Sequence, residues 1–380
     1  MTTTRLLRIA AAASLVTGLG LVATGSLAGA AANAPTSTGH ALFVETDQAT
    51  NTILSYQRSS NGTLAYAGST PTGGAGAVAD HAHADPLASQ GGLTLVDQNR
   101  VLVAVNPGSD TVSVFSVHGA SLQLVQQVGS GGSFPDSVAS HGDLVAVLNG
   151  GGAGSVAEFR LLAGTLTPVA DGVRTLGLSN TTPPDFVHSP GQVGYSPDGR
   201  FLVVTTKAST NAYDVFTLGA DGSLSSSPTV TSAQNAVPFA FSFDAVGHLV
   251  GVEASNSSLS TYAINADGSL RALGTVSDGA GALCWISSAR GVFYGSNAAS
   301  ATVSSFRVAP DGPPTLLAGT AAVAHAGTVD SSASPDGRYL YVESGAAGAL
   351  DAFAVNPDGT LSAVQTVWGL PTPFEGIAAS

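Results

Sequence analysis

Seven short phrases, each centred on one aromatic residue, recur along the chain. They are TILSYQ around Tyr56, VSVFSV around Phe115, VAEFRL around Phe159, YDVFTL around Phe216, LSTYAI around Tyr262, VSSFRV around Phe306 and LDAFAV around Phe353. Successive aromatics lie 59, 44, 57, 46, 44 and 47 residues apart. A period of this size, built from apolar strands and turns rich in Gly and Asp, predicts an all-β fold with one four-stranded blade per repeat. The expected architecture is a seven-bladed β-propeller.

One repeat shows the expected blade. Gln192–Tyr195 reads as a short inner strand, Pro197-Asp198-Gly199 as a turn, and the apolar run from Arg200 to Thr205 as the second strand. The third strand carries Phe216, and Asp221-Gly222 turns into the outer strand. The same order recurs around Pro335-Asp336-Gly337 and Asp358-Gly359. The first repeat opens at Ala41 with its second strand, and nothing before it reads as an inner strand. The chain ends in Pro373-Phe374-Glu375-Gly376-Ile377-Ala378, which matches the openings of other repeats. The C-terminal segment is therefore expected to supply the missing inner strand, closing the ring without a free edge.

Composition agrees. Lysine and glutamate are scarce, while small and β-branched residues abound, favouring strands and turns over helices. Residues 1–32 read as a secretory signal peptide, with Arg5 and Arg8 ahead of an apolar stretch and small residues at the cleavage site. Residues 33–40 follow as a linker and 41–380 as the propeller, so the protein is expected to be secreted. The net charge of −13 becomes two units more negative once Arg5 and Arg8 are removed. That balance disfavours nucleic acid as a partner, since binding it needs clustered cations. No stretch after the leader is long and apolar enough to span a membrane. Cys284 is the single cysteine and reads as a small buried hydrophobe.

Two candidate sites emerge. The two long spacings place extra residues at Gly73–Gln90 and Asp171–Pro190, both between an outer strand and the next inner strand. Insertions on one face of a repeat fold mark a working face. Counting back 9 to 11 residues from each aromatic gives Glu45, Asn106, Asn149, Lys207, Glu253, Asn297 and Glu343, one polar residue per repeat at the end of the second strand. The asparagines suit strand ends and turns. Lys207, the only lysine, with Glu253 and Glu343, suits catalysis at a channel mouth: Lys207 as electrophile, pairing with Glu253, and a glutamate as base. The insertion also carries His81, His83 and Asp85, whose alternation allows a divalent metal on one side of an extended segment, with His188 or His325 as a further ligand. The other reading is a polar loop. Glu45, Asn149 and the residues at repeat openings, Gln90, Gln192, Phe239 and Trp285, are candidate ligand contacts, although aromatics at such positions serve packing more often. No phosphate loop, nucleophile elbow or dinucleotide fingerprint is present.

The phrases SPDGRFLVV, SPDGRYLYV, INADGSLRAL and VNPDGTLSAV resemble the lactonase family of seven-bladed propellers, which includes 6-phosphogluconolactonases and carboxymuconate cyclases. SQGGL, SGGSFPDSVA, PFAFSFD and CWI resemble its secreted bacterial branch. The resemblance runs from about Ala41 to the end. It implies a small-molecule lactone as substrate, no required cofactor and a monomer. The cyclases' catalytic groups do not carry over. A His opening the third blade is replaced by Phe134-Pro135-Asp136-Ser137, an Arg-His pair opening the fourth by Gly191-Gln192, and a Glu by Thr206-Lys207. The expectation is a secreted lactonase-like propeller; the alternative is a non-catalytic extracellular module that binds a carbohydrate or a surface partner.

Overall fold

The computed structural model describes residues 40–380. The expected signal peptide, 1–32, and all of the linker except His40 lie outside the described residues.

Seven four-stranded antiparallel sheets follow one another along the chain. Inner strands run at Leu93–Val96, Pro135–His141, Gln192–Tyr195, Pro238–Phe243, Leu283–Ala289 and Thr328–Ala333, each opening its own blade. The first blade is completed from the other end of the chain. Ile377–Ala379 pairs with Ala41–Glu45, aligning Val44 with Ile377, Phe43 with Ala378 and Leu42 with Ala379. The expected closure is thus observed. The second strands are buried along their whole length in six blades, for example Val101–Asn106, Leu144–Asn149 and Val292–Asn297, and in the last all but Tyr339 is buried. Both of their faces pack against neighbouring blades, so they read as unbroken apolar runs rather than as an alternation.

Seven clusters of the core each join adjacent blades, and an eighth joins Ala79 and Ala88 of the first insertion to Phe134. One joins Val103 and Val114 to Val145 and Phe159. The cluster of Leu42, Val44 and Ile377 with Tyr341 and Leu350 seals the last blade to the first. In six blades the recurring aromatic sits at a β-bulge in the pairing of third and outer strands, as at Val114/Phe115, Thr261/Tyr262 and Ala352/Phe353. A bulge sharpens local twist. In these six blades the signature aromatic therefore sits where the pairing bends. Among the described residues, no helix is long and apolar enough to cross a membrane.

Candidate functional site

The two insertions occupy one end of the central channel and close it. They pair through a backbone bridge between Asp80 and Asp185, with Asp80 N donating to Pro184 O at 2.9 Å and Phe186 N to Asp80 O at 2.9 Å. Asp85 caps the turn beneath: Oδ1 accepts from Leu87 N and Ala88 N, both at 2.8 Å, and Oδ2 from Ser89 N at 3.0 Å. The next residues thread across the channel. Trp285 Nε1 donates to Ser89 O at 2.7 Å, Ser89 Oγ donates to Asp136 O at 2.6 Å, and Gln90 Nε2 and Oε1 bond Ile286 O and N at 3.0 and 2.8 Å. Gly91 N donates to Asp330 Oδ2 at 3.3 Å. This segment is a plug held by several blades at once.

The ring of second-strand residues lies under that plug and is buried, not an open mouth. Lys207 is fully buried. Its ammonium donates to Ala88 O, to Phe186 O at 2.5 Å and to Ser189 Oγ at 2.8 Å, so it ties both insertions to the blades. The rings of Phe239 and Phe186 lie 4.8 and 5.0 Å from Nζ. Burial pulls its pKa down to about 8, against the pull of Asp85 and Asp136. With all three N–H donors engaged, Lys207 has none to offer an oxyanion, which corrects its expected role as electrophile. The expected pairing with Glu253 is not formed. Glu253 accepts from Tyr262 Oη at 2.8 Å and Ser258 Oγ at 3.2 Å, inside its own blade. Glu343 is fully buried and accepts from Gly376 N at 3.1 Å. Neither glutamate reaches the wall of the channel cavity, so neither is placed as its base.

Most of the expected ligand contacts are also interior. Glu45, Asn149, Phe239 and Trp285 are at most 1 % exposed. Phe239 and Trp285 stack on each other at 4.9 Å between ring centroids, which is blade packing. The asparagines act as pins: Asn106 Nδ2 donates to Thr111 Oγ1 and Ser113 Oγ at 3.2 and 2.8 Å, and Asn297 repeats this with Thr302 and Ser304. His81, His83 and Asp85 do not share a side. His81 is exposed and its Nδ1 meets Asp185 Oδ2 at 2.8 Å, whereas Asp85 turns inward to its cap. Among the described residues no three such groups meet at a metal point. Asp185 also meets His188 Nδ1 at 2.6 Å. Desolvation there is outweighed by the hydrogen bonds to His188 and His81, so its carboxyl stays below the usual range. Cys284 is buried, and desolvation lifts its thiol to about 12, which makes it inert.

The accessible space is the channel on the other side of the plug. A cavity of 490 Å³ is walled by the inner strands and extends to Asn99, in a turn on the face opposite the insertions. Gln90 and Gln192 line it, as expected from their positions at repeat openings. Gln192 Oε1 accepts from Phe241 N at 2.7 Å, leaving its amide hydrogens free of partners among the described residues. The wall also carries Thr94, Ser140, Ser242 and Ser332. It contains one carboxyl, Asp330, and no lysine, arginine or histidine.

Asp330 was not among the expected site residues. The pairing of its strand with the next skips from Thr328 to Ser331, which puts Asp330 in a bulge. Such a bulge re-aims a side chain. Oδ1 accepts from Ser331 N at 2.7 Å, and burial raises the carboxyl to about 6 against hydrogen bonds from Ser331 N, the Glu375 side chain and Gly91 N. The sequence did hold a signal: aligning the inner strands as well as the second ones shows Asp136 and Asp330 as isolated acids in otherwise apolar openings, with Glu375 just ahead of the closing strand.

Comparison with known proteins places the fold. No family model matches the chain, and no curated protein does. Solved structures do. A candidate 6-phosphogluconolactonase of Bacteroides fragilis superposes with a TM-score of 0.72 at 18% identity, over 91% of this chain and 99% of that one. A protein from Lactobacillus plantarum gives 0.71 at 17% identity, covering 90% and 99%. The periplasmic gluconolactonase PpgL of Pseudomonas aeruginosa gives 0.68 at 20% identity, again covering 90% and 99%. At these identities the likeness shows the fold: this chain is a seven-bladed β-propeller of the architecture found in lactonase-like proteins.

Proposed function

We propose that this protein is an exported hydrolase of small uncharged lactones, acting in the central channel with Asp330 as general base. The observation that carries the reading is Asp330 itself, the one carboxyl on the wall of a 490 Å³ cavity, raised to about 6. A base poised near neutrality is efficient at removing a proton from water. As the water oxygen bonds to the lactone carbonyl carbon, its proton passes to Asp330, and the carbonyl π electrons move to oxygen. The amide hydrogens of Gln192 face that oxyanion. When the carbonyl re-forms, the ring C–O bond breaks, and the leaving alkoxide takes the proton back from Asp330. The product is an open-chain hydroxy acid.

A wall without lysine or arginine offers nothing to a phosphate or a second carboxylate, which favours a neutral substrate over a phosphorylated one. The description of PpgL as a gluconolactonase supports the same direction. The same wall supports the alternative, a module that binds carbohydrate without turning it over, because only neutral amides and hydroxyls are available to steady the oxyanion. A panel of γ- and δ-lactones followed by proton release separates the two. We expect the wild type to hydrolyse at least one neutral lactone, and Asp330→Asn to lose a hundredfold or more, on the order of a lost general base. Equal rates in the two proteins, or binding without turnover, would overturn the catalytic reading.

A further inference from the structure

The carboxyl on the cavity wall has a second one behind it. Glu375 stands two residues ahead of Ile377, which lines the cavity together with Asp330 and Gly91. Glu375 itself is fully buried and is not part of the wall. Its backbone is fixed on both sides: Glu375 N donates to Asp47 Oδ2 at 2.9 Å, and Gly376 N donates to Glu343 Oε2 at 3.1 Å. The two carboxyls flank one dipeptide of the plug. Gly91 N donates to Asp330 Oδ2 at 3.3 Å, and Glu375 Oε2 lies 3.5 Å from where a Cβ on Gly92 would stand. The Glu375 side chain also hydrogen-bonds to Asp330.

Two carboxyls can form a hydrogen bond only if one of them keeps its proton. The surroundings decide which. Glu375 faces Asp85 of the plug, Asp330 of the last inner strand, and Asp47 and Glu343 at the ends of second strands. Burial and these four acids hold its carboxyl well above the usual range. Asp330 is raised only to about 6, because Ser331 N, Glu375 and Gly91 N all donate to its ionised form. No basic group is among the main influences on either, since Lys207 acts on Asp85 and Asp136. At pH 7 Glu375 therefore keeps its proton and donates, and Asp330 accepts. An ionised carboxylate offers about four acceptor positions. Ser331 N, Gly91 N and the Glu375 O–H fill three of them, which leaves one open to a water in the cavity.

We propose that Glu375 is a positioning residue for Asp330: its carboxyl O–H donates to the Asp330 carboxylate from behind the cavity wall and holds it aimed at the attacking water. The assignment rests on the reading of Asp330 as general base. As water adds to the lactone, its proton passes to the open position on Asp330, and the proton of Glu375 stays on Glu375. Glu375 touches neither water nor lactone and acts through Asp330 alone.

Two measurements on the full chain test this. The first is the pH profile of kcat/KM for a neutral lactone. Glu375→Leu removes a donor that favours ionised Asp330, so the inflection is expected to move up by about one unit from the wild-type value near 6. Glu375→Gln keeps an N–H donor, and its inflection is expected to stay near 6. An inflection unmoved in Glu375→Leu, or moved equally by both substitutions, overturns the proposal. The second measurement needs no turnover and no substitution at Glu375. The chain has five glutamates, so carbon-13 placed at glutamate Cδ gives a resonance for each carboxyl. The Glu375 resonance is expected to stay in the protonated range through pH 7, to show a step near 6 as Asp330 ionises, and to lose that step in Asp330→Asn. A Glu375 carboxyl already ionised at pH 7, or one without the step, overturns the proposal. If the wild type hydrolyses no lactone while the step is present, the general-base reading fails and the positioning of Asp330 by Glu375 stands.

Discussion

At the scale of single residues, the polar groups of this propeller divide by burial into fasteners and one candidate reagent. Lys207 is a fastener: it donates to Ala88 O, Phe186 O and Ser189 Oγ from a buried position. Lys207→Ala leaves those acceptors and the Asp85 and Asp136 carboxyls uncompensated, so we expect a loss of about 3 kcal/mol or more in chemical denaturation. A loss below about 1 kcal/mol would return the lysine to the role of a spare electrophile. The buried acids set a pH dependence. Asp85 is raised to about 7 and Asp330 to about 6, in each case chiefly by burial. A carboxyl whose pKa is higher in the folded state stabilises folding below its unfolded pKa, and the contribution disappears as pH rises through the folded value. The unfolding temperature should therefore fall as pH goes from about 4 to 7. A flat or rising profile would mean that these carboxyls are ionised and paired.

At the scale of elements, the closing strand and the two insertions do different work. Ile377–Ala379 completes a sheet, and the cluster of Ile377 with Tyr341 and Leu350 seals two blades. Removing residues 371–380 exposes the edge of Ala41–Glu45 and opens that cluster. Cooperative unfolding should be lost or the protein should aggregate, as scanning calorimetry and light scattering will report; a normal transition would contradict the closure. The insertions are joined by Asp185, which meets His81 and His188. Asp185→Ala should speed amide exchange at Ala79, Asp80 and Phe186 while changing global stability by less than about 1 kcal/mol, because these contacts are largely exposed. The repeat pattern made the blades legible. Each signature aromatic marks a third strand, and the phrase PFEGIA marked the closing strand. The path of the insertions was not legible, because a single plug has no repeat to align and its hydrogen bonds join residues as far apart as Ser89 and Trp285. For that reason the second-strand ring looked like an open mouth when it is the floor beneath a plug. Asp330 was missed because an acid in a bulge follows no strand alternation.

At the scale of the whole molecule, the propeller is a ring closed twice over, by a shared sheet and by the plug across one end of its channel. What remains accessible is the other half of the channel, with one carboxyl, amides and hydroxyls on its wall. That half is where we place the chemistry, and the insertion-covered half is structural. The most direct test is the pH dependence of kcat/KM for neutral lactone hydrolysis, in the wild type and in Asp330→Asn. The wild-type rate is expected to rise with pH through an inflection near 6, the value to which burial brings Asp330. Asp330→Asn is expected to abolish the inflection with the rate, while both proteins unfold at similar temperatures. A wild-type profile without that inflection, or one that survives in Asp330→Asn, would contradict it.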